Sequence, residues 1–268
     1  MAKTSKIALA IAAHPDDIEI MMAGTLLLLQ KAGYETHYMN VANGNCGSVE
    51  TDSATTARIR LREAKEAAKI LGVHFHPPIC NDMEILYDLK TLRRLSAIIR
   101  EVKPNILLTH PPADYMEDHT NTCRLAVAAA FTRAMPNFES IPARRTENYD
   151  CAIYHASPHS LLDNLRRRVV PGVYVNTTSV HAKKMEALKA HQSQQSWLDA
   201  SQKMNSYLQT SEDISRFVGK MSKKFKHAEG WRRHLHYGYC SGDADPLQEL
   251  GDDYLVNHEY ERNLKKGI

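Results

Sequence analysis

Paired cysteines, long apolar runs and a strong charge of either sign are all missing from this chain, and each absence narrows what it can be. Its five cysteines, Cys46, Cys80, Cys123, Cys151 and Cys240, are scattered, odd in number and nowhere spaced C-x-x-C. Neither a disulfide framework nor a cysteine zinc site is indicated, and this usage fits a reducing, cytoplasmic setting. No apolar run approaches the roughly 20 residues that cross a bilayer as a helix. Residues 1–6 resemble the charged start of a signal peptide, yet the apolar run behind them ends in His14 and two aspartates instead of a small-residue cleavage site. A formal charge of +3 over 268 residues is too small to call for nucleic acid or an acidic membrane surface. The expectation is a soluble cytoplasmic protein with no nucleic-acid or membrane partner, and a homo-oligomer left open.

What is present is a regular alternation of strands and helices. Residues 7–13 are apolar without alternation, as in a strand buried on both faces. Residues 18–32 carry a helical stripe ended by Gly33, and 34–42 read as a second strand leading into the glycine-rich Asn43-Gly44-Asn45-Cys46-Gly47-Ser48. Helices follow at 55–71, capped by Gly72, and at 89–102, stopped before Pro104. Residues 105–109 form a third strand, 120–133 a helix and 150–155 a fourth strand. This order predicts an α/β fold: a doubly wound, mostly parallel Rossmann-like sheet with helices on both faces. Beyond Pro158 the pattern loosens, with a short strand near 173–175, one or two helices over 179–209, and a basic, aromatic stretch at 220–236 without clear period. A single domain over 1–268 is expected, its α/β core at 1–160 and the helices and tail of 161–268 packed on it.

The chemistry is concentrated at the first strand-to-helix corner, His14-Pro15-Asp16-Asp17. Ligands of open α/β sheets bind at the carboxyl ends of strands, and core packing does not call for an imidazole and two carboxylates there. A divalent ion needs two or three oxygen or imidazole ligands and an open position for water. His14 and Asp17, three apart across a turn stiffened by Pro15, can converge on one point and leave Asp16 free as a base. A third ligand must come from another strand end, and Asp114-Tyr115-Met116-Glu117-Asp118-His119, just past the third strand, offers several. Alone, the first corner is explained equally well as an aspartate helix cap. The second acid-and-histidine cluster tips the balance towards a metal site.

At these residues the chain resembles the PIG-L/LmbE-like family of zinc-dependent N-deacetylases, which act on N-acetyl groups of amino sugars and their conjugates. Ala12-Ala13-His14-Pro15-Asp16-Asp17 with Gly24-Thr25-Leu26 matches the first motif of that family. Arg60-Leu61-Arg62-Glu63-Ala64 and the run to Gly72 match its R-x-x-E-A helix, and Asp82 falls where an aspartate is usual. Asp114-Tyr115 with Asp118-His119 matches the third motif, and Lys184 with His191-Gln192-Ser193-Gln194 a later one. The resemblance runs from about residue 6 to 195. It implies one zinc per chain on His14, Asp17 and His119, another divalent ion staying open, with Asp16 as general base. It also implies Arg60 and Asp82 at the substrate, joined by Tyr115 and His191, and removal of an N-acetyl group from an N-acetylglucosamine-type sugar or glycoconjugate by hydrolysis of its amide bond.

One departure stands out. Where the family commonly has the first histidine of H-x-D-H, proposed to stabilise the oxyanion, this chain has Met116. A thioether cannot donate a hydrogen bond, and losing one oxyanion donor typically costs about 100- to 1,000-fold in rate. Tyr115, His110 and His191 are the candidate substitutes. The alternatives are a catalytically impaired sugar-binding or regulatory protein on the same scaffold, or a zinc hydrolase of another amide or an ester. His155 and His159 are weaker site candidates. The basic aromatic group around Trp231 reads as packed tail sooner than as a sugar platform.

Overall fold

The structure, a computed structural model, describes residues 6–202 and 207–266. In chain order the elements are β1 (Ile7–Ala12), α1 (Asp17–Met21), α2 (Ala23–Lys31), β2 (Glu35–Asn40), α3 (Ser53–Leu71), β3 (His74–His76), α4 (Leu89–Val102), β4 (Ile106–Thr109), α5 (Glu117–Phe131) and β5 (Ala152–Ala156). They continue with β6 (Val173–Asn176), α6 (His181–Leu188), α7 (Gln192–Gln202), α8 (Tyr207–Ser222), β7 (Ala228–Arg233), β8 (Tyr254–Val256) and α9 (His258–Lys266). The strands form one eight-stranded sheet in the order β3-β2-β1-β4-β5-β7-β6-β8. The first five are parallel, whereas β7 runs antiparallel to both β5 and β6, and β8 antiparallel to β6.

The unbroken apolar run of β1 follows from its central place. Ala8, Ala10 and Ala12 face a core built with α1, α2, α3 and α6, while Leu9 and Ile11 face another built with α4 and α5. With helices on both sheet faces, neither side of the strand tolerates polar residues. β1 lies between β2 and β4, so the strand order reverses at the β1/β4 junction. That reversal opens a crevice at the carboxyl ends, and both acid-and-histidine clusters lie there, one after each strand.

Several elements depart from the sequence reading, each for a local reason. The helix expected over 18–32 is two helices, broken where Met22 leaves helical geometry at φ −135°. β3 went unforeseen because it is three residues long and reads His-Phe-His. β7 lies inside the basic, aromatic stretch: its Trp231 is fully buried and donates Nε1–H to Thr25 Oγ1 at 3.0 Å. Glu229, also on β7, caps α2: its carboxylate accepts from the Gly24 and Thr25 amides at 2.8 Å each and from Lys184 Nζ at 2.8 Å. The C-terminal third therefore supplies three strands of the sheet in addition to helices. No helix among the described residues is long and apolar enough to cross a membrane.

Candidate metal centre

The turn after β1 is held by its own backbone and side chains. Asp17 Oδ2 accepts from the His14 amide at 2.8 Å, and Asn40 Nδ2 donates to the His14 carbonyl at 2.6 Å. Asp16 bridges strand and helix in the left-handed region, φ 107°, which aspartate tolerates better than most residues. Its neighbour Asp17 opens α1 and points to the same place as His14.

Across the crevice, the loop after β4 delivers His119 from the first turn of α5. Taking one ligand atom from each of His14, Asp17 and His119, all lie within 4.8 Å of one another. The inward edges are His14 Nδ1, 3.6 Å from Asp17 Oδ2, and His119 Nε2, 3.4 Å from Asp17 Oδ1. The outward edges are each held by a carboxylate: His14 Nε2 by Asp118 at 3.0 Å, and His119 Nδ1 by Asp114 at 3.1 Å. Each ring is thereby oriented with one nitrogen facing Asp17, the arrangement in which an outer carboxylate fixes a metal-ligating imidazole. Two imidazoles and a carboxylate suit a borderline divalent cation.

The electrostatics match this geometry. Burial alone would lower the His14 pKa, but the Asp118 and Asp17 hydrogen bonds outweigh it and hold it at about 10. His119, likewise buried, is held at about 9 by the Asp17 charge and the Asp114 hydrogen bond. Burial would raise Asp17, yet His119 and His110 keep it well below the ordinary carboxylate range. In the metal-free chain, protons thus occupy the place that a cation fits.

Asp16 is set apart. Burial pushes its carboxyl up, Arg60 pulls it down and Asp17 pushes it up again, leaving it at about 6. Tyr207, the first residue of α8, donates its hydroxyl to Asp16 Oδ2 at 2.6 Å. Arg60 is buried and already engaged, with Nη2 on the Pro15 carbonyl at 2.5 Å and Nη1 on Gln194 Oε1 at 2.5 Å. Gly44 lies against it with φ +77°, and a Cβ there would come 2.6 Å from Arg60 Nε. Asp82 spends both oxygens on the glycine-rich loop, accepting from the Gly44 amide at 2.7 Å and the Cys46 amide at 3.1 Å.

A cavity of about 600 Å³ opens over these groups. His14, Asp16, Asp17 and His119 reach it, as do Arg60 and Asp82, while Tyr115, Met116, Met83 and Trp197 complete its walls. His191 is not on its lining; it is buried, with Nε2 3.4 Å from Glu19 Oε1. His110 is fully buried as well: it accepts from the Ala13 amide at 2.9 Å and stacks on His119 at 4.1 Å. Of the histidines weighed in place of a donor at Met116, neither faces the cavity. His159, in the loop after β5, does. The sequence reading missed Tyr207, named Gln194 only within the later matched segment, and gave no separate part to Asp114 and Asp118. The last two were findable, because both lie in the segment that carries His119.

The chain is similar to several known proteins. A family profile described as PIG-L, GlcNAc-PI de-N-acetylase, matches residues 9–130. The chain is 30% identical over 234 residues to a diacetylchitobiose deacetylase of Thermococcus kodakarensis, covering 85% of this chain and 82% of that one. It is 27% identical over 203 residues to a 4-oxalmesaconate hydratase of Pseudomonas putida, covering 73% and 76%. Among solved structures, an N,N'-diacetylchitobiose deacetylase from Pyrococcus horikoshii superposes with a TM-score of 0.70 at 24% identity, over 91% of this chain and 89% of that one.

Proposed function

The chain belongs to the PIG-L family of deacetylases, and on that premise we propose that it is a metal-dependent hydrolase removing an N-acetyl group from an amino sugar or glycoconjugate of N-acetylglucosamine type. The observation that carries this reading is the pair of braced imidazoles, His14 on Asp118 and His119 on Asp114, both turned towards Asp17 beside a cavity. These three residues would hold the ion, with zinc the first choice for such donors. When bound, a divalent ion of this kind lowers the pKa of water and polarises a carbonyl.

The chain's own groups do the rest. Asp16 lines the cavity with a carboxyl raised by burial, suited to take a proton from the attacking water and return it to the leaving amine. Arg60 and Asp82 act through the walls they build: Arg60 fixes the Pro15 carbonyl and Asp82 fixes the glycine-rich loop. The donors left for the developing oxyanion are the Tyr115 hydroxyl and the His159 imidazole, which burial keeps below its ordinary pKa and hence neutral. Met116 contributes no donor.

The test is acetate release from a panel of N-acetylated mono- and disaccharides, with and without chelator. Release that chelation stops supports the reading; no release from any member, with only a shift in melting temperature, points to a binding protein. A second reading, addition of water to an unsaturated acid, is favoured by the hydratase relative and by Met116. It would show as loss of conjugated absorbance without acetate.

Metal uptake should be steeply pH-dependent. His14 and His119 both hold protons at neutral pH in the metal-free chain, with pKa values of about 10 and about 9. A cation must displace both, so apparent affinity should rise by about 100-fold per pH unit below pH 9 and fall correspondingly on acidification. Calorimetry in buffers of different ionisation enthalpy should count about two protons released per ion. Release of none would mean that these imidazoles are not protonated in the metal-free chain.

A further inference from the structure

Away from the cavity, α6, α8 and the approach to β7 bring a second set of ligand-type side chains to one point. His181 opens α6, Glu212 lies in the second turn of α8, and His227 immediately precedes β7. Both imidazoles present Nε2 to one carboxylate: His227 Nε2 is 2.9 Å from Glu212 Oε1, and His181 Nε2 hydrogen-bonds Oε2. Taking one ligand atom from each residue, all lie within 4.8 Å of one another. Both histidines are buried, Glu212 is partly open to solvent, and none of the three lines the cavity.

We propose that His181, Glu212 and His227 form a second site for a borderline divalent cation of the zinc or cobalt type, a clamp that fixes α8 to the sheet. Two imidazoles and a carboxylate are a donor set for such ions, with a remaining position for water. The partial exposure of Glu212 provides the entry path. Each Nε2 proton, donated to the Glu212 carboxylate, must leave or move to Nδ1 before the ring ligates; burial keeps the His181 imidazole below its ordinary pKa, and hydrogen bonds from His227, His181 and Arg216 overcome burial to hold Glu212 at about 2. The nearby Lys184 charge is already paired with Glu229.

Two further features must yield to the ion. The rings lie face to face, centroids 3.9 Å apart and 4° from parallel, so each turns out of the stack to aim its lone pair at a shared centre. Arg216 Nε sits 2.6 Å from Glu212 Oε1, but its side chain is 59% exposed and gives up a surface pair at little cost. The consequence reaches the cavity, because α8 begins with Tyr207, the donor to Asp16. An ion tying the body of α8 to α6 and β7 steadies the helix that holds the base.

The full chain, dialysed to equilibrium against zinc or cobalt(II) and analysed for metal, decides the matter. Wild type should bind about two ions, His14→Ala/His119→Ala about one, and the same double variant carrying Glu212→Gln none. Zinc should raise the melting temperature of His14→Ala/His119→Ala and not of its Glu212→Gln derivative. Glu212→Gln keeps the shape of the hydrogen-bonded group, and His227→Asn serves as an independent second variant. The proposal is overturned if His14→Ala/His119→Ala binds no metal while keeping the wild-type circular dichroism spectrum. It is equally overturned if the ion it binds is unaffected by both second substitutions. Loss of all bound metal from Glu212→Gln in an otherwise wild-type chain would support this site and sink the cavity's metal centre instead.

Discussion

Asp16→Asn is expected to slow acetate release by about 100- to 10,000-fold while leaving the metal content unchanged. Asparagine is the informative replacement because it accepts the left-handed backbone, φ 107°, that this corner requires. It also keeps an oxygen for the Tyr207 hydroxyl, 2.6 Å away in the parent chain. What disappears is the ability to take up a proton. The same logic sets a pH dependence. Asp16 must be ionised to act as base, and burial holds it at about 6, so the rate should fall as pH drops through that region. A neighbouring bound cation favours the ionised form and moves the limb lower. A rate-against-pH profile with no acid limb, or an Asp16→Asn chain that still releases acetate at the parent rate, would remove Asp16 from the role.

Glu229→Ala should cost about 3–5 kcal/mol of stability, because it strands the buried Lys184 ammonium without its partner. Lys184 and Glu229 are both buried, 2.8 Å apart. The same carboxylate also receives the Gly24 and Thr25 amides, so the substitution uncaps the start of α2. In a chain of this size the loss corresponds to a melting temperature lowered by ~10 °C. Lys184→Met combined with Glu229→Gln should recover part of it, since removing both charges costs less than removing one. Thermal unfolding of Lys184→Met, Glu229→Gln and the double variant closes the cycle. Additive losses would show that the pair is not coupled.

How far the sequence could be read depended on how local the physics was. β1 and β4 were legible because burial on both faces leaves continuous apolar runs, and the helices because capping leaves glycines; β2 and β5 followed from the strand–helix alternation, although Thr36, His37, Asn40 and His155 interrupt their apolar character. β7 was not, since Glu229 and Arg232 interrupt its apolar character and the Glu229 carboxylate is neutralised by contacts more than 200 residues away in sequence, at Gly24 and Thr25. His14, Asp16, Asp17 and His119 stood out because imidazoles and acids at strand ends have no packing purpose. Their supports were harder to see. Tyr207 lies in a helix without a motif, and its partnership with Asp16 spans 191 residues. Arg60 and Asp82 were read as contacts to substrate; both line the cavity, and their hydrogen bonds go to the Pro15 carbonyl, Gln194 and the glycine-rich loop. Lys184, noticed only as part of a familiar segment, has a structural reason for its place in the Glu229 pair. Gly24, noticed in the same way, packs where a Cβ would come 2.3 Å from Thr177 Cγ2.

Both braces come from the same short corner: Asp114 steadies His119, and Asp118 steadies His14 on the opposite strand end. A hexapeptide therefore carries one ligand together with the alignment of two. Because consecutive helical positions are separated by about 100° of rotation, inserting a single amino acid after Glu117 would swing Asp118 and His119 off target at once. The spacing between residues 114 and 119 thus works as a jig for the whole centre.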